Sequence, residues 1–356
     1  MVGGCSLCTS GECAVRLAGN IRAASRRAVC RRRYREDVVV FGGALGSFRR
    51  RGTPPAPATD AADEARLLDE SIPDLDWRAF APGTERTRFD APSGPLARVA
   101  LGPTTGPRVV LVPGATGSKE DFVLMMPLLA ASGYRVEAFD LAGQYESADA
   151  GPWNLTPPRS RYDERLFLDD LLAVLDDGAA RAHVLGYSFA GTLAGVALLE
   201  RPDRFASLTL LSAPPESGQA FRGVKRIGPI SGFTSPRQGA ALMLWGIRNN
   251  LNRVPPRRLA FVRERFALTR RESVDDIIGL MMQTPDLRAG IAASPVPKLV
   301  AVGQHDLWPR ELHARFAHEI GARFAVYPTG HSPCETAPHQ LVRDMQALFA
   351  ETDATP

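Results

Sequence analysis

Residues 186–191 of the chain are Gly186-Tyr187-Ser188-Phe189-Ala190-Gly191, with one serine at the centre of a glycine-bounded stretch. The apolar run 182–185 before it predicts a buried strand, and the run 192–199 after it predicts a helix. A strand, a sharp turn carrying one serine and then a helix is the arrangement of a nucleophile elbow. Small flanking residues allow the tight turn, and the hydroxyl projects above the strand end. The alternative is an ordinary strand-to-helix turn in which Ser188 has no chemical role.

A serine nucleophile needs a general base, and the base needs an acid that orients it. His331 follows the predicted strand 322–327, and Asp306 follows the predicted strand 297–302. Both side chains are therefore expected at the carboxyl ends of strands, where Ser188 also lies. In α/β enzymes that have this type of turn, the three residues follow one another along the chain as serine, aspartate and histidine, which is also the order here. The alternative for Asp306 is a capping role at the start of the following helix.

The other histidines have weaker claims as the base. His183 begins the strand before Ser188, which places it at the opposite end of the sheet. His313 and His318 are five residues apart on one predicted helix, a separation of about 140° around its axis. We therefore expect no metal site shared by these two residues, and we expect both at solvated or partly packed helix positions.

Four segments together resemble the α/β-hydrolase family of single-domain serine hydrolases. They are the loop 112–118, the segment 140–147, the serine turn, and the loops of Asp306 and His331. The match runs over residues 84–350 in the family's order. The resemblance implies an α/β fold with a mostly parallel central sheet flanked by helices, and a helical cap inserted between core strands.

The resemblance also assigns roles to individual residues. It implies Ser188 as nucleophile, His331 as base and Asp306 as the orienting acid, with an oxyanion hole formed by the backbone N–H groups of Ala115 and Phe189. One departure lies in Pro113-Gly114, where the family usually has His-Gly. A proline lacks its own N–H but leaves that of Ala115 in place, so the departure concerns the internal hydrogen bonding of the loop. The alternative is a glycine-rich turn without a ligand.

The alternation of predicted strands and helices defines the domains. Residues 61–213 and 297–356 form the expected hydrolase core, and the helical segment 214–296 between them forms the expected cap. Residues 1–60 are a basic Cys- and Arg-rich extension with a Pro/Ala linker, which we expect to be disordered. The predicted strands are 84–90, 96–101, 108–112, 134–139, 182–187, 207–211, 297–302 and 322–327, the first two as an antiparallel hairpin. The predicted helices are 119–132, 162–176, 189–200, 309–320 and 337–350. Candidate substrate contacts are Tyr187, Trp245 and Trp308.

Charge and composition limit the partners. The expected cap contains 13 Lys and Arg against 6 Asp and Glu, so it would attract an anionic substrate such as a carrier-bound acyl thioester. The alternative is an ordinary solvated surface. The basic stretches lack a recognition motif for nucleic acid. No run of eighteen apolar residues occurs, so we expect no membrane span.

Cysteine usage gives little support for metal or secretion. Cys5 and Cys8 form one Cys-x-x-Cys, but no second pair follows at a suitable spacing, so we expect no metal site. A secretory signal is weak, because the apolar run 38–48 is short and lies late, and we expect a cytoplasmic protein. Cys334 is expected as a buried or loop thiol.

We therefore expect a serine hydrolase that cleaves an ester-like acyl bond through an acyl-enzyme intermediate, without a metal or organic cofactor. A small-molecule or carrier-bound acyl compound is the expected substrate. A thioesterase or acyltransferase that uses the same three residues remains open, as does cleavage of an amide, a lactone or a C–C bond. So does a ligand-binding protein of this fold with little turnover.

Overall fold

A computed structural model describes residues 61–178, 180–221 and 254–353. The expected extension 1–60, with Cys5 and Cys8, lies outside the described residues. So do Trp245 and the middle of the expected cap.

Eight strands form one sheet in the order β1-β2-β4-β3-β5-β6-β7-β8. β1 pairs with β2 and β2 pairs with β4 in antiparallel fashion, whereas all later neighbours are parallel. The predicted first hairpin and the predicted mostly parallel sheet are confirmed. The strands are β1 (Glu85–Ala91), β2 (Gly94–Leu101), β3 (Arg108–Val112), β4 (Arg135–Phe139), β5 (Ala182–Tyr187), β6 (Phe205–Leu211), β7 (Lys298–Gly303) and β8 (Arg323–Tyr327).

Helices cover both faces of this sheet. Alternate residues of a strand point to opposite faces, and in β3 Val110 joins one apolar cluster while Val109 joins the other. The helices are α1 (Ala61–Glu70), α2 (Met125–Ala131), α3 (Glu164–Asp176), α4 (Phe189–Glu200), α5 (Pro256–Leu268), α6 (Arg271–Met281), α7 (Arg288–Ala293), α8 (Arg310–Glu319), α9 (Pro333–Thr336) and α10 (Pro338–Asp353). The first cluster includes residues of α3, α4 and α8, and the second includes residues of α2 and α10.

Three helices differ from the sequence prediction. The predicted helix 119–132 is a 3₁₀ turn at Lys119–Phe122 followed by α2, which begins at Met125. The four-residue helix α9 was not predicted. Helix α1 was not predicted. Its Asp69 carboxylate accepts the N–H groups of His339 and Gln340 at the start of α10, at 2.8 and 3.2 Å. This long-range cap supports α1, and a local pattern cannot reveal it.

The insertion between β6 and β7 is helical in its described part. It contains α5, α6 and α7. Hydrogen bonds join α6 and its N-terminus to the segments after β4. Arg270 N–H donates to the Gly143 carbonyl at 2.8 Å, and the Ser273 hydroxyl donates to the Ala142 carbonyl at 2.9 Å. The Asp276 carboxylate accepts the N–H of Tyr162 at 2.9 Å. The insertion therefore rests on loops at the carboxyl ends of the strands.

Candidate active site

Ser188 occupies a strained turn between β5 and α4. Its φ is 53° and its ψ is −119°, a conformation that costs a residue with a side chain about 1–3 kcal/mol. Its N–H donates to the Leu211 carbonyl of β6 at 2.8 Å, which fixes the turn to the neighbouring strand. Gly186 permits the turn, because a Cβ there would lie 2.3 Å from the Ala190 carbonyl oxygen. The predicted need for small residues around the serine thus has a specific steric cause.

The structure brings Ser188, His331 and Asp306 into one hydrogen-bonded chain. His331 Nε2 lies 3.2 Å from Ser188 Oγ, and His331 Nδ1 lies 2.7 Å from Asp306 Oδ1. An ionised carboxylate only accepts, so Nδ1 carries the proton and Nε2 is free to accept the serine hydroxyl hydrogen. The capping alternative for Asp306 does not apply, because the N-cap residue of α8 is Pro309.

The electrostatics keep Asp306 ionised. Burial raises its pKa, but the charge of His331 and its hydrogen bond outweigh burial, and the pKa of Asp306 ends below its ordinary value. Asp306 is 3% exposed, whereas Ser188 is 8% exposed and the His331 side chain 20%. The acid is thus enclosed, while the serine and the imidazole retain some access to solvent.

The loop after β3 packs against the serine. A Cβ on Gly114 would lie 2.9 Å from Ser188 Cβ, so this close approach requires glycine. Ala115, one of the two predicted oxyanion donors, is the next residue. The loop keeps an internal hydrogen bond despite Pro113, from Gly117 N–H to the Gly114 carbonyl at 3.0 Å. The other predicted donor, Phe189, is the first residue of α4, where a backbone N–H has no partner within its own helix.

Two of the predicted substrate contacts flank the imidazole of His331. The Tyr187 ring centroid is 5.5 Å from that of His331, and the Trp308 centroid is 5.8 Å away. Tyr187 Oη lies 2.8 Å from Ser332 Oγ, and Trp308 Nε1–H donates to the Ala220 carbonyl at 2.6 Å. Both rings are buried, so they pack around the base; their contact with substrate stays a prediction.

The expectation for His313 needs correction. Its side chain is fully buried, and its Nε2 lies 3.7 Å from Asp306 Oδ2. His318, five residues later, is exposed as expected. His313 lies three residues before Phe316 and four before Ala317, so these three share the buried face of α8. That spacing was visible in the sequence and is the signal that could have placed His313 inside.

A second cluster was also missed, and we call it the buried charged belt. Lys119 is the centre of one of its two groups. The Lys119 ammonium contacts Asp140 at 3.0 Å, Glu120 at 3.1 Å and Glu146 at 2.7 Å, while the Lys119 N–H donates to Asp140 at 2.8 Å. Burial opposes the charge on Lys119, but these carboxylates outweigh it and raise the pKa of Lys119 above its ordinary value. The belt comprises two groups that are adjacent through residues 119–121: Lys119 with Glu120, Asp140 and the partly exposed Glu146, and Asp121 with Arg258, Arg265 and Glu335.

The described part of the chain contains neither a grouping of side chains that could hold a metal ion nor a helix that could span a membrane. Within residues 61–178, 180–221 and 254–353, no three His, Cys, Asp or Glu side chains are grouped to hold a metal ion. No helix among these residues is long and apolar enough to cross a membrane. Cys334 is buried, as expected for a thiol without a reactive role.

Comparison with known proteins gives the family. The pattern of the alpha/beta hydrolase family matches residues 109–344, which is more than half of the chain. A hydrolase from Pseudomonas aeruginosa PA01 matches with a TM-score of 0.60 and 23% identity, over 76% of this chain and 99% of that one. A putative aryl esterase from Burkholderia cenocepacia matches with 0.58 and 21%, over 76% and 100%. The enol-lactonase of Burkholderia xenovorans LB400 matches with 0.58 and 20%, over 74% and 100%. The chain belongs to the alpha/beta hydrolase family.

Proposed function

We propose that this member of the alpha/beta hydrolase family is a serine hydrolase that cleaves an ester-like acyl bond through an acyl-enzyme intermediate. One observation carries the proposal: Ser188 Oγ, His331 and Asp306 form a continuous hydrogen-bonded chain, with separations of 3.2 and 2.7 Å. The strained turn presents the hydroxyl, and the ionised Asp306 holds the imidazole in the tautomer that accepts its proton.

In the first half-reaction, Ser188 Oγ attacks the substrate carbonyl carbon while His331 Nε2 takes the hydroxyl proton. The carbonyl electron pair moves onto oxygen, and the N–H groups of Ala115 and Phe189 stabilise that negative charge. The tetrahedral intermediate then collapses. The bond to the leaving alcohol breaks, and the imidazolium of His331 returns the proton to the alcohol oxygen.

In the second half-reaction, His331 removes a proton from water, and the hydroxide attacks the acyl-serine carbonyl. Collapse of the second intermediate breaks the bond to Ser188, whose oxygen regains a proton from His331. The products are a carboxylic acid and an alcohol. Asp306 stays ionised throughout and stabilises the imidazolium in both halves.

The names of two proteins with a similar fold support the substrate class. An aryl esterase and an enol-lactonase have the same fold, and both names describe cleavage of an ester bond. We therefore favour a small-molecule oxygen ester as the substrate. We also propose a cytoplasmic location, with the insertion between β6 and β7 as a cap over the site. A carrier-bound thioester substrate, acyl transfer to another acceptor, and ligand binding with little turnover are the rival outcomes of the tests.

The first test is covalent labelling with a fluorophosphonate probe, which reacts with an activated serine. We expect labelling of the wild type, none of Ser188→Ala, and full labelling of Ser217→Ala, which changes an exposed serine of the insertion. Labelling that persists in Ser188→Ala would contradict the assignment. A folded wild type that is not labelled would favour the ligand-binding protein.

A second test separates the reaction types. Hydrolysis of matched p-nitrophenyl oxygen esters and thioesters is compared at equal acyl length, with and without an added alcohol acceptor. A higher kcat/KM for the oxygen ester with free acid as product supports the proposal. A preference for the thioester, or an ester product formed with the added alcohol, would support a rival.

A further inference from the structure

We propose that Arg258 and Arg265 are positioning residues of this active site. Both lie on α5 of the insertion, and they hold the loop that carries Ala115 and the segment that follows His331. The inference depends on the proposed function, because it assigns a role to the geometry of the oxyanion donors and the base.

Arg265 is connected to the loop after β3. Its guanidinium donates to Asp121 Oδ1 at 2.6 Å and to Ser118 Oγ at 3.1 Å. The other oxygen of Asp121 accepts the Ser118 N–H at 3.2 Å. Ser118 is three residues after Ala115, so the carboxylate of Asp121 links α5 to the short loop that holds an oxyanion donor.

Arg258 is connected to both segments. It donates to Asp121 Oδ1 at 2.7 Å, and its two donors Nε and Nη2 engage the Glu335 carboxylate, Nε at 2.9 Å. Glu335 is four residues after His331, and its own N–H donates to the Ser332 carbonyl at 3.0 Å. The hydroxyl of Ser332 in turn meets that of Tyr187, the residue before the nucleophile.

The surroundings make this connection rigid. Asp121, Arg258 and Arg265 are buried, and the Arg258 guanidinium stacks 4.6 Å from the Trp77 ring. Burial opposes ionisation of Asp121, but Arg265 and Arg258 outweigh it and hold the pKa of Asp121 below its ordinary value. With Glu335 the group contains two cations and two carboxylates. Any shift of either loop relative to α5 would leave a buried charge without its partner, which is strongly unfavourable.

The buried charge pairs therefore fix the positions of the loop after β3 and of the segment after His331. The oxyanion donors act only if they lie where negative charge develops, and a displacement of about 1 Å can cost on the order of 100-fold in rate. Two segments that are far apart in sequence must hold their positions together, and α5 is the element that contacts both through buried guanidinium groups. On this reading α5 is a fixed wall of the site and does not move as a lid.

The test uses Arg265→Gln and Arg258→Gln, with Arg257→Gln as the matched control, since Arg257 is an exposed arginine on the same helix. We measure kcat and KM for p-nitrophenyl butyrate and the affinity for a trifluoromethyl ketone, whose adduct places an oxyanion in the hole. Both buried variants are expected to lose about 10- to 100-fold in kcat and a similar factor in inhibitor affinity, with KM changed less than about threefold. The control is expected to match the wild type.

A double variant separates positioning from folding. Asp121→Asn with Arg265→Gln removes a charge pair and leaves no unpaired ion, so the melting temperature should recover relative to either single variant. The turnover should stay low, because the guanidinium of Arg265, which holds Ser118 and residue 121, is still missing. Recovery of kcat together with the melting temperature would overturn the inference, as would unchanged inhibitor affinity in a folded Arg265→Gln. A wild type that neither turns over nor labels at Ser188 would instead refute the proposed function, and the inference with it.

Discussion

The proposed catalytic residues and the Lys119 group of the buried charged belt both follow the carboxyl ends of strands, yet they are built in opposite ways. Ser188 sits in a strained turn and keeps some exposure, with a single 3.2 Å contact to His331. Lys119 is 1% exposed and contacts three carboxylates. A group that reacts needs access to the substrate and a hydrogen bond that is weak enough to break during the reaction. A group that holds others in place needs partners that fully compensate its burial.

The largest expected effect is on turnover at Ser188. Ser188→Ala should lower kcat/KM at least about 10⁴-fold, because the nucleophile is gone, while the fold persists. Ser188→Gly should be equally inactive but about 1 kcal/mol more stable than Ser188→Ala, because glycine tolerates a φ of 53°. Ester hydrolysis and thermal unfolding of both variants measure this. Equal stability of the two would show that the turn stores no strain and would weaken the contrast between the regions.

The next effect concerns the acid. Asp306→Asn should lower kcat/KM by about 10⁴-fold at neutral pH, since the amide no longer holds the productive tautomer of His331 or stabilises its cation. The pKa of Asp306 lies below its ordinary value, so its contribution to stability is present above the unfolded pKa of about 3.9 and is lost as pH falls through the lower folded value.

Acid loss of activity between about pH 5 and 8 should therefore not arise from protonation of Asp306. A pH–rate profile checks this, with Asp286→Asn as control, since Asp286 is an exposed aspartate of the insertion. An Asp306→Asn profile with wild-type rates would remove the residue from the mechanism.

The contrast between the two regions also explains which residues can be predicted from the sequence and which cannot. Ser188, Asp306 and His331 each follow a predicted strand, and strand ends meet at one edge of a parallel sheet, so three local patterns suffice to bring them together. The link from Asp121 to Arg265 spans 144 residues and carries no local signature. Lys119 and Asp121 resembled the exposed start of a helix. The heptad spacing of Arg258 and Arg265 around Phe261 does mark one face of α5, but a charged face is normally solvated.

A smaller effect, on stability, tests the belt. Lys119→Met leaves Asp140, Glu120 and Glu146 without their shared cation and should cost about 3–5 kcal/mol of unfolding free energy at pH 8. Lys298→Met is the matched control, because the ammonium of this buried lysine donates to the uncharged Ser294 and Val296 carbonyls, and its loss should be smaller.

The cost of Lys119→Met should shrink on acidification. Burial, opposed by Lys119 and aided by Glu120, raises the pKa of Asp140 to about 7. A folded value above the unfolded one means that the contribution of Asp140 to stability is fully present below the unfolded pKa of about 3.9 and is lost as pH rises through about 7. Denaturant unfolding at pH 5.5 and pH 8 measures the difference. A loss below about 1 kcal/mol at both pH values would show that the belt does not depend on ionic pairing.

The smallest expected effect is that of substituting His313, which is buried like Lys119 but lies next to Asp306 of the proposed catalytic residues. Its Nε2 is 3.7 Å from Asp306 Oδ2, too long for a hydrogen bond, so the interaction is electrostatic. The ring of Trp308 neighbours both imidazoles, with its centroid 6.0 Å from that of His313 and 5.8 Å from that of His331. His313→Asn should lower kcat/KM about fivefold, equivalent to about 1 kcal/mol, and His318→Asn on the exposed face of α8 should change nothing measurable. If His313 acts through Asp306, its substitution adds no further loss in an Asp306→Asn background. If the two losses in kcat/KM add fully in that double-mutant cycle, His313 does not act through Asp306. The two regions would then differ in a second way besides exposure, because Lys119 depends on buried charged partners and Asp306 would not depend on His313.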